Sequence, residues 1–196
     1  MSNDDKKLLK LAQKGDVAAF EQLVSSNQRR IYNLCFQMTR NVQDAEDMAQ
    51  EALLKAWRSL HRFNARSSFS TWLHRIAVNT CLDKLRKNKA HMVSIQEMSE
   101  SGRTLQDERS DHMEERSADR QEIKRALRAL APSHRAIIIL RDVQGYAYEE
   151  IAKILHCPLG TVRSRLARAR KKMIENLRDM EQTDEPIRQT EQRRVR

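Results

Sequence analysis

The sequence is poor in chain breakers, with 4 glycines and 3 prolines among 196 residues. An all-β protein needs a tight turn every few residues, and this scarcity argues against one. It also leaves no glycine-rich loop to cradle a nucleotide phosphate. No run approaches the ~18 apolar residues of a membrane-spanning helix. The start, Met1-Ser2-Asn3-Asp4-Asp5-Lys6-Lys7, is polar where a signal peptide would carry an apolar core. Neither export nor membrane insertion is expected, and a cytoplasmic location is. Cysteine is scarce as well. Cys35, Cys81 and Cys157 form no CxxC and no even set, which excludes a disulfide framework and reads as small core residues. His156 stands beside Cys157, but no second ligand pair lies at a zinc spacing, so no metal and no cofactor is expected.

Charge, in contrast, is abundant. Lys+Arg 37 against Asp+Glu 27 gives a net charge of +10, and 33% of the residues are charged. Its placement is uneven: residues 1–88 carry net +6, 89–119 net −4, 120–178 net +9, and 179–196 net −1. Two basic blocks flank an acidic connector that lacks apolar periodicity, so the connector is expected to be flexible. The expected class is all-α. Two small helical domains, at 1–89 and 120–178, are joined by a flexible acidic linker at 90–119, and a disordered tail follows at 179–196.

In the first block a short helix around Leu8, Leu11 and Ala12 stops at Gly15. A second helix over 17–39 repeats apolar residues at helical spacing, from Phe20 and Leu23 to Leu34 and Met38. Asn41 to Asp44 is a break with capping residues, and a third helix runs from Asp44 to Trp57. Ala45, Met48, Ala49, Ala52, Leu53, Ala56 and Trp57 face inward there, while Asp44, Asp47 and Glu51 recur at i, i+3 and i+7 with Gln50 and Leu54 beside them. An acidic face on a basic protein fits a basic protein partner. It also fits ordinary solvated surface, with acids favoured near a helix N-terminus. After the loop His61-Arg62-Phe63-Asn64-Ala65-Arg66-Ser67, capping serines open a helix whose core stripe is Phe69, Trp72, Leu73, Ile76, Ala77, Thr80 and Leu85. Ser70, Thr71, His74, Arg75, Val78 and Asn79 are left on its other faces, and Arg86-Lys87-Asn88-Lys89 ends it. Hydroxyl and amide groups near an aromatic and a basic end suit single-stranded nucleic acid. Trp72 also reads as core, and His74 as a solvated helix residue.

The second block has helices over 118–130 and 132–143, with Pro132 in a first turn and Gly145 as a stop. A short helix from Tyr148 to His156 follows, then the turn Cys157-Pro158-Leu159-Gly160, then a basic helix from Thr161 to Met173. Val162, Leu166, Ala169 and Met173 step inward, which leaves Arg163, Ser164, Arg165, Ala167 and Arg168 outward. This pattern is a helix-turn-helix with its last helix placed for the DNA major groove. Arginine pairs bidentately with guanine there, and hydroxyls hold phosphate.

Four stretches resemble the bacterial extracytoplasmic-function sigma factors of the sigma-70 family, the small two-domain initiation subunits of RNA polymerase. They are Asp44-Ala45-Glu46-Asp47-Met48-Ala49-Gln50-Glu51-Ala52 through Trp57; Phe69-Ser70-Thr71-Trp72-Leu73-His74-Arg75 through Thr80; Tyr148-Glu149-Glu150-Ile151-Ala152; and Gly160-Thr161-Val162-Arg163-Ser164-Arg165 through Arg170. They occur in the family's order, across about residues 8–88 and 120–178. The resemblance implies a chain that recruits polymerase to promoters and catalyses nothing. It implies polymerase-core contacts at Asp44, Asp47, Gln50, Glu51 and Leu54, on the clamp of the large subunit. It implies contacts to the opened minus-ten strand at Phe63, Asn64, Ser67, Thr71, Trp72, Arg75 and Asn79. Duplex contacts at the minus-thirty-five element would fall to Arg141, Thr161, Arg163, Ser164, Arg165 and Arg168, with Arg141 and Thr161 on phosphate. Ala167 departs from an aromatic that some members carry. The acidic linker would thread the nascent-RNA channel. The implied partners are RNA polymerase core, promoter DNA and an anti-sigma factor that could hold the chain at the membrane; the free chain is expected to be a monomer.

Two rival classes make different demands. A stand-alone helix-turn-helix repressor or activator would need a dimer interface or ligand pocket, and would leave the acidic face unexplained. A metal-dependent nuclease would need Asp44, Asp47 and Glu51 to gather around an ion.

Overall fold

A computed structural model describes residues 3–98 and 118–194, and within them the side chains of 4–88 and 121–180. Among the described residues the regular structure is entirely helical. The first domain comprises α1 (Asn3–Gln13), α2 (Val17–Thr39), α3 (Val42–Ser59), a 3-10 turn (Leu60–Arg62) and α4 (Phe69–Met98). The second comprises α5 (Ala118–Arg128), α6 (Pro132–Ile138), a π turn (Ile139–Val143), α7 (Tyr148–Ile154) and α8 (Leu159–Arg194).

Local chemistry sets the boundaries. The Asp16 carboxylate accepts from the Ala19 amide at 3.0 Å and caps α2. The Asn41 side chain does the same for α3, accepting from the Asp44 amide at 2.9 Å. Between them Arg40 adopts the left-handed conformation, φ 59°, and its amide donates to the Phe36 carbonyl to close α2. The Ser68 hydroxyl accepts from the Thr71 amide at 3.0 Å, so a capping serine does open α4. Gly145, at φ 76°, turns the chain out of the π turn, a conformation that costs glycine little.

Helix α2 packs on α1, α3 and α4, and encloses Ile31, Leu34, Cys35 and Met38 without exposure. Cys35 and Cys81 meet in this core with their sulfurs 3.6 Å apart, as free thiols. The Cys35 thiol and burial push the Cys81 thiol far up, which suits small core residues. In the second domain α8 packs on α5, α6 and α7, with Ile137, Ile139, Leu140, Ile151, Ile154 and Val162 at the centre.

Two boundaries differ from expectation. Helix α4 runs past the basic cluster to Met98, so the connector begins as helix. Its residues 99–117, most of the expected flexible linker, lie outside the described residues. Helix α8 continues through the tail to Arg194, across Pro186, where a disordered end was expected. The tail is rich in Glu, Gln and Arg, which are good helix formers, and a folded helix precedes it, so no new nucleus is needed.

The two domains also pack against each other. Helices α6 and α7 rest on α4, while α6 and the π turn touch α2. Arg135 joins them. It is 9% exposed, and among the described residues no carboxylate is paired with it. Its guanidinium instead donates to the carbonyls of Leu127, Arg128 and Leu130 at the end of α5, and to that of Met38 at the end of α2. Helix C-termini present unsatisfied, partly negative carbonyls, and these suit a cation.

Candidate nucleic-acid and partner interfaces

Three functional faces emerge. The first is α3. Asp47, Gln50, Glu51 and Leu54 are exposed on it, Leu54 at 55%, and Asp44 is half-buried. The inward stripe of Ala45, Met48, Ala52 and Ala56 fixes that orientation. Glu51 is paired with Lys55 at 2.7 Å, and this contact holds its carboxyl below the usual range. An open groove of about 430 Å³ runs between α2 and α3, lined by Tyr32, Ala49, Gln50 and Leu53 among others. An acid row beside an exposed leucine and a mostly apolar groove suits a protein partner with basic and apolar groups. Asp44, Asp47 and Glu51 do not gather: among the described residues no group of three His, Cys, Asp or Glu side chains could hold a metal.

The second face is the start of α4 with the loop before it. Phe63, Phe69 and Trp72 form an aromatic cluster with ring centroids 5.1–5.8 Å apart. Phe63 is 6% and Trp72 7% exposed, so both are core residues that also border a cavity of about 350 Å³. Asn64, Ser67, Thr71 and Arg75 line the same cavity, together with Arg62 and Arg66. Six of the seven expected strand contacts therefore converge. Asn79 is exposed and does not line the cavity. The Thr71 hydroxyl lies 2.7 Å from that of Ser68, so part of its bonding capacity goes to the start of α4.

Sequence reasoning missed Gln13, whose amide donates to the carbonyls of Leu60 at 3.1 Å and Phe63 at 2.9 Å. The terminal residue of α1 thus pins the loop that carries Phe63 and Asn64. Nothing in the sequence spacing signals a side chain that reaches a backbone some 50 residues away.

His74 and Val78 correct the reading of α4, for both are fully buried although the core stripe expected from spacing omits them and takes His74 as solvated. The second domain covers His74. The Tyr146 hydroxyl lies 2.9 Å from His74 Nδ1, and Gln144 Oε1 lies 3.2 Å from Nε2. Burial pushes the His74 pKa down, against the opposing pull of the Ser70 carbonyl.

The third face belongs to α8. Arg163, Ser164 and Arg168 are exposed, Thr161 and Arg165 half-buried, and Val162, Leu166 and Ala169 buried beneath them. Arg168 Nε donates to the Ser164 carbonyl at 3.2 Å, which leaves most of its guanidinium donors outward. The turn from α7 to α8 passes through His156 at φ 50°, and the Cys157 amide donates to the Ala152 carbonyl at 3.0 Å. Two helices at a tight turn, with a basic outer face, form a major-groove reader. Arg141 sits apart from this row. It donates to the Tyr146 carbonyl at 2.9 Å and stacks over the Tyr148 ring at 4.9 Å.

Comparison with known proteins agrees with this arrangement. The Sigma-70 region 2 family model matches residues 23–91, and the Sigma-70 region 4 model matches 120–173. The chain is 38% identical to the RNA polymerase sigma-H factor of Pseudomonas aeruginosa, over 85% of this chain and 90% of that one. It is 33% identical to the ECF RNA polymerase sigma factor SigW of Bacillus subtilis, over 89% and 97%. It is 39% identical to the ECF RNA polymerase sigma-E factor of Escherichia coli, over 85% and 90%. Among solved structures it resembles the sigma factor RpoE of Bartonella quintana in complex with the anti-sigma factor NepR. That match has a TM-score of 0.65 and 28% identity, and covers 83% of this chain and 98% of that one. With both domains matched, in order and over most of the length, the chain belongs to the ECF family of RNA polymerase sigma factors.

Proposed function

We propose that this chain directs promoter-specific initiation by three divided contacts. Helix α3 docks on RNA polymerase core through Asp44, Asp47, Gln50, Glu51 and Leu54. Helix α8 grips minus-thirty-five duplex through Arg163, Ser164, Arg165 and Arg168, with Thr161 and Arg141 toward phosphate. The α4 cavity captures the opened minus-ten strand through the loop from Phe63 to Ser67 and through Thr71, Trp72 and Arg75, with Asn79 farther along. Capturing an unstacked base offsets part of a cost of about a few kcal/mol. Polymerase supplies the chemistry, and recruitment is the chain's whole contribution.

The observation that carries this reading is that an exposed acid-and-leucine face on α3 and an exposed arginine face on α8 occupy separate helices of one chain. A stand-alone repressor has no use for the first. Partnership with an anti-sigma factor is supported by the solved relative, which is held by one. The chain is proposed to be cytoplasmic and monomeric when free. No helix among the described residues is long and apolar enough to cross a membrane.

Run-off transcription with sigma-free polymerase core on fragmented genomic DNA tests the proposal. Starts that depend on the chain and share two spaced upstream motifs are expected. Glu51→Ala should lose them by weakening core binding while duplex binding persists. Absence of dependent starts, with specific duplex binding by the chain alone, would overturn the proposal in favour of a repressor.

A further inference from the structure

The core of the first domain holds a pair of reactive groups that neither promoter reading nor polymerase docking uses. Cys35 of α2 and Cys81 of α4 are fully buried free thiols, and Cys81 donates to the Cys35 sulfur across 3.6 Å. Small apolar residues would fill the same space, so packing alone does not call for sulfur on both sides. The pair lies at one end of the helical bundle. Cys35 stands one turn before the end of α2, and its carbonyl accepts from the Thr39 hydroxyl at 2.9 Å. Past Cys81, helix α4 emerges from the core: Leu82 and Leu85 are half-buried, Asp83 and Arg86 exposed.

The thiolate, not the thiol, is the nucleophile in disulfide exchange. The neighbouring Cys35 sulfur and burial keep the proton on Cys81, so the closed core does not react. Reaction waits for an opening at this end of the bundle, of the kind that element ends undergo most readily. Once wetted, one thiol gives up its proton and its thiolate attacks a sulfur of a low-molecular-weight disulfide. One small thiolate leaves and a mixed disulfide forms. The second protein thiolate then attacks the protein-side sulfur and expels the other small thiolate. Two protein thiols and one small disulfide become one protein disulfide and two small thiols, which take up the two protons. A partner that neighbours the first cysteine in the fold makes the second step intramolecular.

A disulfide holds its sulfurs about 2.0 Å apart, so the bond draws α2 and α4 together at this point. Asn79 is exposed two residues before Cys81, and the Thr80 hydroxyl between them accepts from Lys55 of α3 at 3.3 Å. The stretch that shifts is therefore the part of α4 proposed to meet the far end of the opened strand. Helix α8 packs on α5, α6 and α7 in the other domain, away from the bond. We propose that Cys35 and Cys81 are a dithiol–disulfide modification site, oxidised by small disulfides through opening of this end of the bundle, and that the cross-link weakens strand capture on α4. The cross-link rests on the cysteine geometry, and its effect on the strand rests on the proposed role of α4. In a reducing compartment such a bond is transient and redox-responsive rather than structural.

The test uses the full chain with Cys157→Ser, because Cys157 is a half-buried free thiol that would take up oxidant on its own. The chain is incubated with excess oxidised glutathione, digested without reductant and read by mass. The expected product is a peptide pair joined through Cys35 and Cys81, lighter than the reduced pair by two hydrogens and parted again by dithiothreitol. Glutathione left on both cysteines overturns the site. So do two thiols that stay free, and so does a link that forms only in denaturant strong enough to unfold the chain. Binding of a fluorescent single strand bearing the minus-ten motif recovered from run-off starts is then compared before and after oxidation. Strand affinity should fall about tenfold in the linked chain, with minus-thirty-five duplex affinity within about twofold, since a binding constellation tolerates little displacement. Dithiothreitol should restore it. Cys81→Ala should form no link and keep its strand affinity in the oxidant; where that variant does not fold, Cys35→Ala serves from the other helix. A linked chain that binds the strand as well as the reduced one overturns the switch. A reduced chain that binds no strand removes the capture site and the switch with it, whereas the linked peptide is read without any strand and stands or falls separately.

Discussion

Helices α4 and α8 are both proposed to touch promoter DNA, yet they are built in opposite ways. Helix α8 keeps one face for its core and leaves the other free, so Val162, Leu166 and Ala169 pack while Arg163, Ser164 and Arg168 stand in solvent. Helix α4 has no such division near its start. Trp72 packs in the aromatic cluster and borders the cavity, Thr71 is 3% exposed while lining it, and His74 is buried by the other domain. A reader of duplex DNA presents side chains outward to a groove. A holder of single strands needs concavity, and concavity is made by residues that also belong to the core. Substitutions should therefore separate stability from recognition in α8 and mix them in α4.

The largest effect expected from that contrast is on Trp72. Trp72→Ala should cost about 3–5 kcal/mol of stability in chemical denaturation. Arg163→Ala should stay within about 0.5 kcal/mol of the parent. Trp72→Phe, which keeps the cluster, is the form in which strand binding is worth measuring. A cheap Trp72→Ala would break the comparison, because the ring would then not be core.

Next is recognition by α8. Arg163→Ala should lose about 1–3 kcal/mol of discrimination between promoter and mismatched duplex, read by competition binding, with polymerase-core affinity unchanged. Smaller again is the effect of Gln13, which touches neither DNA face and positions the loop before α4. Gln13→Ala should lower strand affinity by about 1 kcal/mol, from two lost carbonyl bonds, and leave duplex binding alone. Gln13→Glu should not rescue it, since a carboxylate cannot donate to those carbonyls.

The smallest effect is on pH. His74 holds its pKa below the usual 6.5 because it is buried, so the parted or unfolded chain takes up the proton more readily. Docking of the domains should be strongest above that value and weaken as pH falls through it, toward the lower docked value. Two groups face His74, Arg30 from α2 and Tyr146 from the second domain, and burial pushes the Tyr146 hydroxyl up, away from that range. Hydrogen exchange over residues 139–148 at pH 7.5 and 5.5 checks the direction.

Much of this was legible before any coordinates. The span of α2, the row on α3 and the reading face of α8 follow from apolar spacing, because each of these helices buries one stripe. The faces of α4 were less legible, because periodicity assumes a single buried side and this helix is covered on several. His74 and Val78 were misplaced for that reason. Arg135 escaped notice since a buried arginine bound to carbonyls has no acidic partner to betray it in the sequence. Gln13 escaped because its bonds go to backbone, which carries no residue identity. The docking of the two domains lies beyond local pattern altogether: the residues that meet, such as Ser70 and Tyr146, are individually unremarkable.

The way Arg135 is held has a bearing on ionic strength. Contacts between exposed arginines and phosphate weaken as counterions compete, whereas a buried guanidinium bound to peptide carbonyls at the ends of α2 and α5 has, among the described residues, no opposite ion to be screened from. Raising the electrolyte concentration should thus strip DNA from α8 while the joint through Arg135 stays made. The two kinds of positive charge in this protein, one for holding nucleic acid and one for holding itself together, then come apart along a single titration axis.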